Sequence, residues 1–247
     1  MKKQLDQIWR DVWDATAIDD LEVSEGCADP WTQIHKPIVD RWLAELPLGA
    51  ICEMGCGLGQ WTRYYARLGR DAVGVDLVSD AVEKATKRAA TLGLARARYV
   101  VADARKMPFE DRSFSGVSSF GVVEHFWDAD TQRLIDETHR ILIPGGRLLL
   151  TTPNVWSMHT LTRPVLQALG KWNLGLERSF SPNRLASYCT RAGFAISEKG
   201  VLVSGTLFGA VLTGRIPGLD ALSRWIERRQ SLFGFVSYVI AERPQPG

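Results

Sequence analysis

The chemistry in this chain centres on one glycine-rich turn and the carboxylates around it. Glu53-Met54-Gly55-Cys56-Gly57-Leu58-Gly59-Gln60 lies between a strand-like and a helix-like segment. Glycines there let the backbone approach a ligand closely, and a helix N-terminus offers free N–H groups. The spacing is G-x-G-x-G, with Gln60 where the dinucleotide fingerprint G-x-G-x-x-G has its last glycine. Glu53 stands just before the turn, where a carboxylate repels a pyrophosphate and suits a ligand with a cationic end. Asp76 closes the next strand-like run, about twenty residues after the first glycine, where acidic side chains reach ribose hydroxyls in βαβ nucleoside sites. Asp103, in Val101-Ala102-Asp103-Ala104, follows a third run and can accept the hydrogens of an adenine amino group. Any one of these acids alone reads as a solvated loop residue. Three at the ends of successive strands share the carboxyl edge at which open α/β sheets bind ligands.

The elements that must hold these residues follow from apolar patterning. Ala50–Met54, Ala72–Val75, Tyr99–Ala102, Val117–Phe120 and Leu148–Thr151 read as strands. Helices are expected over Trp61–Leu68, stopped by Gly69; from Ser79 as cap to Leu92, stopped by Gly93; and over Thr131–Leu142, capped by Asp130. Pro144-Gly145-Gly146 turns the chain into the fifth strand. A further helix has Ser181 as cap, Pro182 at its first position and Gly193 as its stop. Strands near Phe194–Val203 and Phe235–Ala241 complete the set. Before Gly49 the chain is helical and aromatic: Trp9 and Trp13 share a helix face, and Ile34, Ile38, Val39, Trp42 and Leu43 form an apolar stripe. Strand–helix alternation implies parallel βαβ units with helices on both faces.

With the motifs in order, the chain resembles the class I S-adenosylmethionine-dependent methyltransferases of the small-molecule branch. Glu53 to Gly59 looks like their first motif, and Val73-Gly74-Val75-Asp76 like their second. Asp103-Ala104, Met107-Pro108-Phe109 and Ser113-Phe114 resemble their adenine loop and fourth-strand entry. Glu124-His125 matches a Glu-His pair after the fourth strand, and Arg140 to Gly146 their late turn. The match covers about Gly49 to Asn154. The resemblance implies a Rossmann-like, seven-stranded, mostly parallel sheet with its last strand antiparallel. It also implies S-adenosyl-L-methionine as cofactor, a ligand with an ammonium and a sulfonium and no phosphate. The cofactor-binding residues it implies are Glu53, Gly55, Gly57, Gly59, Gln60, Trp61, Asp76, Leu77, Asp103, Ala104 and Phe120. Of these, Glu53 and Gly55 fall near the methionine end, Asp76 near the ribose and Asp103 near the adenine.

Methyl transfer from a sulfonium needs alignment of the acceptor and, where the acceptor carries a proton, a base. His125 is the first candidate base, against the alternative that it shapes the pocket. His159, after the fifth strand, is the second. His35 reads as a surface histidine and His139 as a structural one within a helix. His125 to Asp130 also spells H-x-x-x-x-D, which the methyltransferase register already accounts for. No metal site is expected, since carboxylates and histidines do not cluster and the four cysteines form no C-x-x-C pair.

The 247 residues, 45% hydrophobic, suffice for one domain. Residues 1–48 are expected to form an N-terminal helical lid and 49–247 the methyltransferase domain, with cap insertions near 154–181 and 204–234. Those insertions are expected to select the acceptor, with Trp156 and Phe208 in its walls. A net charge of +2 implies no general affinity for nucleic acid. The expected acceptor is a small molecule, bulky and partly apolar, methylated on oxygen ahead of nitrogen or carbon. Leu219–Phe233 is amphipathic and basic; packing on its own domain is the favoured reading over a membrane surface. The N-terminus has no apolar signal core, so the protein is expected in the cytoplasm. Two rivals remain: a dinucleotide-dependent oxidoreductase, disfavoured by Glu53 and Gln60, and a cofactor-binding protein without transfer activity.

Overall fold

In a computed structural model the described residues are 2–16, 22–23, 30–169, 175–202 and 234–245. Two helices, α1 (Lys2–Ala15) and α2 (Pro30–Ala44), precede the sheet. Then come β1 (Ile51–Met54), α3 (Gln60–Arg67), β2 (Ala72–Asp76), α4 (Ser79–Thr91), β3 (Ala97–Val101) and β4 (Phe114–Phe120). A single 3₁₀ turn, Val123–His125, leads into α5 (Asp128–Ile141) and β5 (Leu142–Pro153). The chain continues through α6 (Met158–Ala168), α7 (Pro182–Arg191), β6 (Ala195–Leu202) and β7 (Val236–Glu242).

The seven strands form one sheet in the order β3-β2-β1-β4-β5-β7-β6. Strands β3 to β5 are mutually parallel, and β7 runs antiparallel between β5 and β6. The sheet order reverses at β1, so the crossovers after β1 and β4 open the crevice where such sheets take their ligands.

Strand alternation assigns the two faces. Cys52, Met54, Val73, Val75, Val117, Leu148 and Leu150 point one way and pack with Leu134 and Ile135 of α5 and Leu185 and Cys189 of α7. Ile51 and Leu149 point the other way, toward Val39 and Trp42 of α2 and Trp61 and Tyr65 of α3. Glu53, two residues from Ile51, therefore faces α3 rather than the α5 side.

Helix boundaries follow local chemistry. Ser181 caps α7 by accepting from Arg184 N, with Pro182 at its first position. Helix α5 starts at Asp128 rather than beside Thr131, and its first turn holds Asp128 and Asp130, which suit the positive end of a helix. Ser79 is the first residue of α4, not its cap. The Pro144-Gly145-Gly146 segment is no separate turn: it lies within β5, where the pairing with β4 shifts register between Phe114 and Gly116. Among the described residues no helix is long and apolar enough to cross a membrane.

Candidate active site

The glycine loop runs from the end of β1 to the start of α3. Gly55 N and Cys56 N both donate to Val75 O, at 2.7 and 2.9 Å, which bends the chain over β2. Gly55 has φ +72°, and a Cβ there would lie 2.2 Å from Val122 Cγ2, so no larger residue fits. Gly57 has φ +50°, and a Cβ there would lie 2.5 Å from Trp13 Cζ2. The indole of α1 thus lies directly on the loop.

The three acids have distinct roles in this geometry. Asp76 accepts from Gly57 N at 2.8 Å and from Val78 N at 2.9 Å, so its carboxylate ties the glycine loop to the β2–α4 turn. Asp103 accepts from Arg105 N, Nε and Nη2 at 3.0, 3.0 and 2.8 Å. Arg105 also pairs with Asp130 at 3.0 Å, which anchors the β3 loop to α5. Glu53 is buried and accepts from Thr62 N at 2.7 Å and Thr62 Oγ1 at 2.5 Å, at the N-terminus of α3. Burial pushes its carboxyl up to about 8, against the opposing effect of the Thr62 hydrogen bonds.

These residues border a two-lobed cleft at the carboxyl edge of the sheet. The first lobe has about 730 Å³ of space open to solvent. Asp76, Leu77, Val78, Asp103 and Ala104 form one side of it, and Trp9, Trp13, His125 and Phe126 another. The second lobe, about 620 Å³, is bounded by Glu53, Cys56, Gly59, Gln60, Trp61 and Trp31. Trp13, Gly55 and Phe120 line both lobes, so the two adjoin at these residues. Gly57 lines neither and lies beneath Trp13. Gln60 Nε2 donates to Thr32 Oγ1, linking α3 to α2.

His125 is 7% exposed and borders the first lobe. Its Nδ1 lies 2.7 Å from Leu176 O. A carbonyl only accepts, so Nδ1 carries the proton and Nε2 keeps a lone pair. Burial holds the imidazole below its usual pKa, so it is neutral near pH 7. The Trp9 ring stands edge-on to it at 4.9 Å. His159 falls in α6, and its side chain lies outside the described residues. His139 is half-buried in α5 and packs edge-on against Phe194.

Two expectations require correction. His35 is fully buried rather than superficial: Nδ1 donates to Trp31 O at 2.8 Å and Nε2 lies 3.2 Å from Thr151 Oγ1. Its pattern on α2 gave no sign of this, because the β5 hydroxyl that satisfies it is 116 positions away. Trp156 is 55% exposed and is not among the described residues lining the two lobes; Leu176, Glu177 and Arg178 of that insertion approach His125 and Glu124, with Arg178 N donating to Glu124 O at 3.0 Å. Phe208, the rest of the 204–233 segment and its amphipathic stretch from Leu219 to Phe233 lie outside the described residues.

Sequence reasoning placed Glu124 in the Glu-His pair but gave it no role. It is 2% exposed, its Oε2 has no hydrogen-bond partner, and burial next to Glu177 raises its carboxyl far above the usual range. Its place beside His125 was the available signal. Among the described residues, no group of three or more histidine, cysteine or acidic side chains is arranged to hold a metal ion.

The donor set fits S-adenosylmethionine. Acids at the ends of β2 and β3 suit a nucleoside. The second lobe offers a buried carboxyl, Glu53, and Trp61 Nε1, a buried donor with no hydrogen-bond partner. Strand order and glycine loop together define a class I, Rossmann-like methyltransferase fold. Residues 51–146 match the family described as a methyltransferase domain. The chain is 34% identical over 110 residues to the chloroplastic tocopherol O-methyltransferase of Arabidopsis thaliana, covering 44% of this chain and 31% of that protein. It is 31% identical over 144 residues to the probable tRNA methyltransferase 9B of Homo sapiens, covering 57% and 29% respectively. The chain thus spans about a third of the length of these two relatives. The structure of geranyl diphosphate C-methyltransferase from Streptomyces coelicolor A3(2), solved with Mg2+, geranyl diphosphate and S-adenosyl-L-homocysteine, superposes with a TM-score of 0.66 at 16% identity. That alignment covers 97% of this chain and 98% of that one, and shows the shared fold. Residues 51–146 thus match a methyltransferase domain, set in a sheet with the class I, Rossmann-like strand order.

Proposed function

We propose that the protein transfers a methyl group from S-adenosylmethionine to a small-molecule acceptor, with oxygen as the acceptor atom ahead of nitrogen or carbon. The observation that carries this reading is His125: a neutral imidazole on the cleft wall, its tautomer set by Leu176 O so that Nε2 can take a proton. When bound, the cofactor supplies an activated methyl on a sulfonium leaving group. In this reading Glu53, Gly55, Gly59, Gln60 and Trp61 hold its amino-acid end, and Gly57 shapes the loop beneath Trp13. Asp76 and Leu77 hold the ribose, Asp103 and Ala104 the adenine, and Phe120 lines the junction. Trp9 and Trp13 of α1 form part of a lid of residues 1–48, held to α4 by Lys84–Asp14 and Arg10–Asp80 ion pairs at 2.6 and 3.4 Å. His125 Nε2 accepts the acceptor's proton as the new bond forms.

The O-methyltransferase relative supports an oxygen acceptor. The tRNA methyltransferase relative supports a nucleic-acid acceptor as the second reading; the near-balanced charge favours the first. The buried free thiols of Cys52, Cys56 and Cys189 support a reducing, cytoplasmic setting.

Calorimetry with S-adenosylmethionine, S-adenosylhomocysteine and NAD tests the cofactor: the first two are expected to bind and NAD not. Transfer of labelled methyl to a panel of hydroxyl, amine and carbon acceptors, with tRNA included, then tests the acceptor. His125→Gln is expected to lower turnover of a hydroxyl acceptor by about 10²–10⁴ with cofactor affinity retained. Equal turnover in that variant would remove the base role, and methylation of tRNA alone would replace the small-molecule reading.

A further inference from the structure

We propose that Glu124 is the counter-charge that this site presents to the sulfonium of its cofactor, acting from directly behind Gly121. The inference rests on the cofactor reading above.

Three observations place the carboxyl there. Gly121 follows β4 and lines the first lobe with Gly55, Phe120 and His125. A Cβ at Gly121 would lie 3.3 Å from Glu124 Oε1 and 3.7 Å from Trp31 Cζ2, so the carboxyl packs closely behind Gly121, which itself lines the first lobe. Glu124 Oε2 is buried without a hydrogen-bond partner among the described residues, an unfavourable state that a ligand cation would relieve.

The geometry of the cleft identifies the ligand group. The sulfur joins the adenosyl and methionyl halves of the cofactor. If these halves occupy the two lobes, the sulfur crosses where the lobes meet, at Gly55, Phe120 and Trp13. Gly121 adjoins Phe120 at that crossing.

Among the described residues no ion pair to Glu124 is formed, and Arg178 meets it through its backbone N, which donates to Glu124 O at 3.0 Å. Arg163 is paired with Glu177 at 3.2 Å, and Arg178 is paired with Asp128 and donates to Phe126 O. The titratable neighbour whose charge acts on Glu124 is Glu177, which opposes ionisation. Without a cation beside it, burial and the charge of Glu177 favour the protonated form of Glu124. A sulfonium beside it favours the carboxylate, so binding the cation drives one proton from Glu124 to solvent. S-adenosylhomocysteine has the same ammonium and carboxylate and a neutral sulfur, so it draws no such proton. Any contribution from Glu53 near the ammonium is common to both ligands and cancels in the comparison.

The test is calorimetry with S-adenosylmethionine and S-adenosylhomocysteine, near neutral pH, in buffers of different ionisation enthalpy. S-adenosylmethionine is expected to release more protons than S-adenosylhomocysteine. Its affinity relative to S-adenosylhomocysteine should rise with pH, by about tenfold for each unit by which the carboxyl's pKa falls on binding. Glu124→Gln keeps the shape and removes the charge; it is expected to abolish the difference in proton release and to lower the S-adenosylmethionine preference about tenfold. Equal proton release for the two ligands in the unmodified protein would overturn the inference, and that measurement decides even if Glu124→Gln fails to fold. An unchanged preference in folded Glu124→Gln would overturn it as well. Binding of neither ligand would instead overturn the cofactor reading, and this inference with it.

Discussion

Replacing Asp76 by alanine should affect stability and cofactor affinity together. The carboxylate accepts from Gly57 N and Val78 N, at 2.8 and 2.9 Å. Hydrogen bonds to a charged group contribute about 1.5–3 kcal/mol each. Asp76 is only partly buried, and water can reach the N–H groups it leaves, so the combined loss of stability belongs near the lower end, about 2–3 kcal/mol. Affinity falls for a separate reason. The ribose loses a charge-assisted acceptor, and the loop that should meet the methionine end loses its brace. A loss of about 1.5–3 kcal/mol is roughly ten- to hundredfold in Kd. Asp76→Asn should fall between, since its amide oxygen can keep one N–H while its NH₂ opposes the other. Urea unfolding gives the first quantity and calorimetry with S-adenosylhomocysteine the second. Folded Asp76→Ala with the parent's affinity would refute the ribose role, and unchanged stability would refute the brace.

Glu53 predicts a pH dependence. Its folded pKa, raised to about 8 by burial, means that the native state binds the more protons between the unfolded carboxylate's pKa, about 4.3, and that value. Its contribution to stability therefore falls as pH rises through that window. Glu53→Gln should flatten this fall, as read by unfolding at a series of pH values; an identical slope in the variant would contradict the assignment. Gly57→Ala combines a left-handed φ with a Cβ 2.5 Å from the Trp13 ring. It should cost about 1–2 kcal/mol, roughly 4 °C in Tm for a chain of this size, and weaken S-adenosylhomocysteine binding; a calorimetric scan with parent-like Tm would show that α1 does not press on the loop.

The strands were legible because each βα unit carries its own signals. The runs before Gly55, Asp76 and Asp103 end at residues suited to ligand-facing loops, and Gly69, Gly93 and Gly193 stop helices wherever they stand. Features that depend on distant parts of the chain were not legible. His35 is buried beside β5, and Trp13 meets Gly57 only because α1 folds back onto α4 and the glycine loop. Asp103 read as an adenine acceptor, yet its clamp by Arg105 two residues away was within reach of sequence reasoning and was overlooked. Glu124 was named in the Glu-His pair but given no role, because the sequence does not show what its side chain meets. What distinguishes it is the lack of a partner, which only packing reveals.

The position of β7 bears on how the molecule is assembled. Strand β7 is the last of the seven in the chain, yet it pairs with β5 on one side and β6 on the other. Until residues 236–242 have been synthesised and released, β5 offers an open row of unpaired amides and carbonyls, and β6 has no neighbour in the sheet. A ribosome-bound chain therefore carries an adhesive border that only its final strand can seal. Stalling or truncation upstream of Val236 should therefore produce self-association rather than a smaller working enzyme.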